Sequence, residues 1–254
     1  MISLIIPAYS AGENIERTIH SVEGTCDDVV IISTAPYKDD AESLQKLGTV
    51  IQLPWNHVFL HGFGDMMNQG SAFAKNDWLL LFGVAETLAE PYGDMIAATQ
   101  SSPPNHVFRC SHTNDVNQWK RIWNRTSGVR WSGLIHEELD GGDDRGLLFR
   151  MQDTDKIPHS DPVRNEVFKY IKTLSYNAMY HRLLLNPDQL AGTNDGWLGF
   201  VRGAKESIEA FIEKHEAMLD ACMCGDFNQL QSLVIDGMNS GKKASGINFS
   251  RTGE

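Results

Sequence analysis

The sequence predicts an α/β fold: a mixed sheet flanked by helices, with a helical C-terminal extension. Three observations predict it. Over the first ~90 residues short apolar runs alternate with amphipathic stretches, as in interleaved strands and helices. From about Asn105 the runs read as antiparallel strands joined by polar loops. From Asp161 onward the apolar spacing is helical. No Gly/Pro/Ser-rich linker interrupts the chain. The expectation is therefore a domain over 1–160 and a helical region over 161–254 packed on it.

Ser3–Ala8 is an apolar run of the kind a strand buried on both faces requires. Ser10 and Glu13 have capping-box spacing, and Ile15, Ile19 and Val22 follow on one helical face. Asp28–Ser33 reads as the second strand. Asp39-Asp40 favours a helix start, with Leu44 and Leu47 facing inward. Thr49–Leu53 reads as the third strand, a helix is expected over about Gly64–Lys75, and Trp78–Phe82 is the fourth strand. Val107–Cys110 and Lys120–Asn124 read as an antiparallel pair. The stretch 141–146, rich in Gly and Asp, reads as a solvated turn or a lid. Glu166–Leu185 is one long helix stopped by Asn186-Pro187. Lys205–Cys222 reads as a single helix with Ile208, Phe211, Ile212, His215, Met218, Leu219 and Cys222 on one face. It should form a hairpin with Phe227–Met238, before a frayed tail.

The charge balance, 33 acidic against 22 basic residues for a net −11, argues against an electrostatic grip on polyanions. A local basic patch around Lys120-Arg121, Arg125 and Arg130 stays compatible with it. No run approaches the ~18 apolar residues of a membrane span, and Met1 leads into a strand without a basic signal-peptide region. Four cysteines without regular spacing read as free thiols in a reducing, cytoplasmic compartment. Cys222-Met-Cys224 has too few companions for a zinc site.

In open α/β sheets ligands bind beyond the carboxyl ends of the strands. Those ends here are Pro7–Ser10, Ser33–Pro36, Pro54–Asn56 and Gly83–Glu86, which would bring Tyr9, Ser33, Trp55 and Glu86 to one crevice. The run Ile2-Ser3-Leu4-Ile5-Ile6-Pro7-Ala8-Tyr9, followed by Glu13-Asn14-Ile15, resembles the opening of a family 2 glycosyltransferase. Trp55, Phe59, Asn68-x-Gly70 and the stretch from Ala74 to Leu81 resemble the lead-in to that family's metal motif. Trp131-Ser132-Gly133-Leu134-Ile135-His136-Glu137-Glu138-Leu139 is similar to the Gly-x-Ile/Val-His-Glu segment of the subgroup acting on lipopolysaccharide cores. Ile157-Pro158-His159 and Lys169–Pro187 are similar to its next elements.

The resemblance covers about residues 2–190. It implies a GT-A fold and transfer of a sugar from a nucleotide sugar. It also implies donor contacts from Pro7, Ala8, Tyr9, Ser33, Asn68, Glu86, Arg130 and Trp131.

Departures from the pattern are specific. The family ends its fourth strand with Asp-x-Asp, where this chain has Gly83-Val84-Ala85 and then Glu86. Glycine and alanine side chains offer a hard cation no oxygen. Ser33 stands where the family has a base-contacting Asp, and Met67 where it has Arg. The expectation is donor binding that is metal-independent or remodelled. Charge on the leaving diphosphate would be met by Arg121, Arg125, Arg130, His136 or His159. If Mg²⁺ or Mn²⁺ is bound, Glu86 and His159 are the first candidate ligands.

Inverting transfer needs a carboxylate to take the acceptor proton. Glu137 is the first candidate, assisted by His136, with Glu138 second and Asp115, Glu86 and Asp161 behind. Trp55, Trp119, Trp123 and Trp131 are either packing residues or stacking platforms. His57, His61, His106 and His112 are given no role. The acceptor is expected to be a saccharide or lipid-linked saccharide, with a modified nucleic-acid base as another possibility. Two alternatives stay open: a different nucleotide-dependent transferase, and a non-catalytic nucleotide- or sugar-binding module on the same scaffold.

Overall fold

A computed structural model describes residues 1–8, 13–89, 94–113, 118–133, 138–153, 161–186, 199 and 201–240. The chain forms two units. One comprises Met1–Trp55, Gly64–Ser132 and Glu137–Ile157; the other comprises Asn56–Phe63, Gly133–His136 and Pro158–Glu254.

The first unit is α/β, a mixed sheet flanked by helices. Its strands are β1 (Ile2–Ala8), β2 (Cys26–Ser33), β3 (Thr49–Gln52), β4 (Trp78–Leu81), β5 (Glu86–Leu88), β6 (His106–His112), β7 (Gln118–Asn124) and β10 (Asp143–Asp153). They lie in the order β3-β2-β1-β4-β7-β6-β10-β5. The four runs expected as neighbouring strands are neighbours, and β3, β2, β1 and β4 are parallel. β7 runs antiparallel to both β4 and β6, as the sequence predicts for β6 and β7. β10 returns parallel to β6, and β5 closes the far edge antiparallel to β10. β8 (Arg130–Ser132) and β9 (Glu138–Asp140) form a separate two-stranded ladder.

Both faces of the sheet are covered, which is why its central strands are apolar throughout. Ile2, Leu4, Ile6, Leu80, Phe82, Phe108, Ile122 and Phe149 form one core with Ile15 and Val22 of the α1 region (helix Glu13–Ser21), Leu44 of α2 (Lys38–Leu44) and Met95 of α4 (Asp94–Gln100). On the other face α3 (His57–Ser71) approaches so closely that a Cβ on Gly70 would stand 2.3 Å from the Ile32 side chain. The amino end of the sheet is tied together by Asp28, whose Oδ2 accepts from the Ser3 hydroxyl at 2.6 Å and the Lys75 N–H at 2.9 Å.

Several boundaries differ from expectation, each for a local reason. The helical stretch expected from about Gly64 ends at Ser71 rather than Lys75, and α3 also takes in an earlier turn from His57, joined to it across a break at Gly62. Its φ of 84° and ψ of 173° belong to a region that essentially only glycine occupies. Leu47 lies past the end of α2. Within 141–146, Gly141 and Gly142 turn the chain with φ near 80°, but Asp143 already starts β10, so four of the six residues of the expected loop are strand.

In the second unit, α5 (Pro162–Leu185) is capped by Asp161, which accepts from Val163 N–H at 2.8 Å. The single helix expected over Lys205–Cys222 is broken at His215 into α6 (Lys205–Lys214) and α7 (Glu216–Cys224). There the His215 Nδ1 lies 2.9 Å from the Phe211 carbonyl, and its ring stacks on Phe211. α7 pairs with α8 (Phe227–Asn239) as the expected hairpin, burying Leu219, Leu230 and Val234. Asn56 donates to the Cys222 carbonyl at 2.9 Å, and Arg182 donates to the Phe59 carbonyl at 3.0 Å. These bonds hold the first turn of α3 within this unit. No described helix is long and apolar enough to cross a membrane.

Candidate functional site

The strand order places a reversal of chain progression between β1 and β4: the chain builds outward through β2 and β3, then crosses back to β4. Ligand crevices in α/β sheets open at such a point, beyond the carboxyl ends of the strands. Ala8 and Ser33 end their strands side by side there. The Ser33 hydroxyl accepts from the Ala35 N–H at 3.2 Å, and Thr34 N–H closes on the Ala8 carbonyl at 3.0 Å. Beside them the Thr34 hydroxyl is buried without a hydrogen-bond partner. Sequence reasoning passed over Thr34; its signal was its place directly after the apolar strand.

Past β4 the chain turns at Gly83-Val84-Ala85. Ala85 has a φ of 75°, the one positive φ at a non-glycine residue among the described residues. The turn brings Glu86 back over its own start, where one carboxylate oxygen accepts from the Gly83 N–H at 2.5 Å. A Cβ on Gly83 would meet that carboxyl group at 3.3 Å. The carboxylate of Glu86 therefore borders the space of a side chain at position 83, closely enough that one of the two would have to shift by a few tenths of an ångström. Its other oxygen faces the Arg121 guanidinium of β7 at 3.3 Å, and both side chains are largely buried.

The two-aspartate ion site implied by the resemblance does not fit these residues. Positions 83 and 85 carry no donor, and Glu86 alone cannot supply the set. Arg121 also lies against Cys110, whose thiol burial pushes up to about 12 against the pull of the guanidinium, so that sulfur is no nucleophile.

Two residues that sequence reasoning left aside stand next to Glu86. His112, at the end of β6, has Nε2 at 3.8 Å from Glu86 Oε1 and Nδ1 at 3.7 Å from Oδ2 of Asp153, at the end of β10. Register brings them together: Met151 pairs with His112, and Asp153 pairs with Glu86. Glu86, His112 and Asp153 can each offer one ligand atom within 4.8 Å of the others. Trp119 packs edge-on against the His112 ring.

The remaining expected residues divide. Asn68 uses its carboxamide on both main-chain polar groups of Trp131, donating at 2.8 Å and accepting at 3.0 Å, and so ties α3 to β8. Trp131 is buried edge-on against Trp123. Arg130 is exposed, Arg125 pairs with Asp77 at 3.6 Å, and Arg121 turns to Glu86, so the three arginines form no common stripe. Pro7 is half-buried in β1. Tyr9, Asp115, His136, Glu137 and His159, with the side chain of Glu138, lie outside the described residues. All four cysteines are free.

No family model matches the chain, and no curated protein matches it. Among solved structures it is similar to S. aureus TarS 1–349, at 12% identity and a TM-score of 0.43 over 96% of this chain and 93% of that one. The same protein in complex with UDP-GlcNAc gives 11% identity and a TM-score of 0.41. Glucosyl-3-phosphoglycerate synthase from Mycobacterium tuberculosis, in complex with Mn²⁺, UDP and phosphoglyceric acid, gives 10% and 0.42 over 72% of this chain and 77% of that one. At these values the likenesses transfer no residue role.

Proposed function

We propose that this chain is a GT-A-type glycosyltransferase that moves a sugar from a nucleotide sugar to an acceptor hydroxyl. In this reading the nucleotide lies across the carboxyl ends of β1, β2 and β4. Ala8 and the Ser33-Thr34 turn meet the nucleoside, and the Gly83–Glu86 turn meets the diphosphate. The observation that carries the reading is the reversal between β1 and β4, with a strained turn and a buried Glu86–Arg121 pair beside it.

Arg121 supplies the positive charge that the family draws from an ion at positions 83 and 85. A guanidinium fixed by Glu86 is already oriented, so it stabilises the charge developing on the leaving diphosphate without reorganising. Glu137 takes the acceptor proton as the hydroxyl attacks the anomeric carbon from the face opposite the diphosphate, which inverts the centre. Asn68 and Trp131 act as positioning residues, and a saccharide or lipid-linked saccharide is the acceptor.

The test is a thermal-shift panel of nucleoside diphosphates and nucleotide sugars in EDTA, repeated with Mg²⁺. A ligand at 100 times its Kd stabilises by about 2.7 kcal/mol. For a chain of this size that raises Tm by roughly 5–10 °C. The expected result is a shift in EDTA for one nucleotide class, weakened by Arg121→Met. Silence across the whole panel would overturn the reading.

A further inference from the structure

We infer that Glu86 and His112 hold a transition-type divalent cation, with Asp153 orienting the histidine. Three observations carry this, and none depends on sugar transfer. First, Nε2 of His112 is buried without a hydrogen-bond partner, on a side chain only 11% exposed. A buried ring nitrogen left unpaired costs free energy unless something binds it. Second, the atom it faces, Glu86 Oε1, stands 3.8 Å away. That is too long for a hydrogen bond, but two bonds of ~2.0–2.2 Å to one ion span such a gap. Third, the opposite nitrogen, Nδ1, faces the Asp153 carboxylate at 3.7 Å. That is longer than a hydrogen bond, but the negative charge beside Nδ1 favours the proton there, which is the tautomer that presents Nε2 to a metal.

Glu86 is held ready for this. The missing side chain at Gly83 leaves room for its carboxylate, and the Gly83 N–H holds one oxygen. Oε1 is left toward His112 and Arg121. A carboxylate oxygen has two lone-pair directions, so the guanidinium at 3.3 Å and an ion at Nε2 can share it. Two protein ligands leave open positions for water or an anionic ligand. One imidazole with one carboxylate suits Zn²⁺, Mn²⁺ or Co²⁺ better than Mg²⁺, which prefers oxygen throughout.

The experiment uses the full chain, stripped with chelator, and Co²⁺ as probe, followed by visible absorption and by thermal shift without nucleotide. The expected result is one Co²⁺ per chain, bound at least ~10-fold tighter than Mg²⁺. His112→Ala should abolish binding, and Asp153→Asn, at an exposed position, should weaken it by about 10–100-fold. Circular dichroism of each variant separates lost binding from lost folding. Co²⁺ binding unchanged in His112→Ala, a thiolate-to-Co²⁺ band removed by Cys224→Ser, or no binding by the folded wild type would each overturn the inference. Failure of the nucleotide panel would leave these results standing.

Discussion

Replacing Asp28 tests how the sheet is held at its amino end. Its side chain is almost fully buried, yet it carries charge, because hydrogen bonds replace the lost water. Burial alone would raise its pKa, but the Lys75 N–H and the Ser3 hydroxyl outweigh burial and hold it below the ordinary carboxylate value. Each hydrogen bond to a charged group contributes about 1.5–3 kcal/mol. The Lys75 ammonium, 3.4 Å away and three-quarters exposed, adds little. With two such bonds lost, Asp28→Ala should cost about 3 kcal/mol. For a chain of this size Tm should fall by roughly 6–12 °C.

Asp28→Asn keeps one acceptor and should cost about half as much. Because the folded-state pKa is depressed, the stabilisation is complete above the unfolded-state pKa and disappears as pH falls through the folded-state value. Urea unfolding at pH 7 and at stepwise lower pH therefore measures both terms. A loss below ~1 kcal/mol for Asp28→Ala, or a gap between wild type and Asp28→Asn that does not narrow with acid, would refute the reasoning.

Ala85→Gly should raise stability by about 1 kcal/mol, read as a higher urea midpoint, since glycine adopts a φ of 75° without strain. His215 has its pKa lowered by burial, only partly offset by the Phe211 carbonyl, so its contribution is present above the unfolded-state value and lost as pH falls. Replacing it with Phe should flatten the acid side of the stability profile. Glu137→Gln should lower kcat by ~10²–10⁴-fold with little change in KM, while Glu138→Gln does little. Single-turnover kinetics with a defined acceptor separates the two.

The parallel half of the sheet was legible because a strand buried on both faces must be apolar at every position. Ile2–Ile6 and Trp78–Leu81 are such runs, and they lie side by side in the sheet as parallel strands. The helices were legible only where periodicity was unbroken. His57–Phe63 contains a glycine that reads as a breaker, and its first turn is satisfied by Arg182, over a hundred residues away. The stretch Lys205–Cys222 keeps one apolar face, and that face is real, but periodicity carries no sign of the break at His215. There the ring shares the Phe211 carbonyl with the His215 backbone N–H, and the backbone leaves the helix at φ −117° and ψ 19°. Local pattern reports which face is buried; it does not report where the backbone changes direction to bury it.

The site shows the same limit more sharply. That Gly83-Val84-Ala85 stands where the resembled family has Asp-x-Asp was plain, and so was Glu86 after it. Their meaning was not, because it depends on a positive φ at Ala85 and on the empty space beside Gly83. Neither is written in residue type alone. With no side chain at Gly83, the Glu86 carboxylate three residues later packs onto that backbone, so the two positions are structurally linked. His112 and Asp153 were invisible for a different reason. Each is a lone polar residue at a strand end, 41 positions apart, and only the register of β10 with β6 on one side and β5 on the other sets Asp153 and Glu86 on either side of the His112 imidazole. A lone histidine at the carboxyl end of a predicted central strand is therefore worth more than a lone histidine elsewhere, because that edge is where the topology delivers its neighbours.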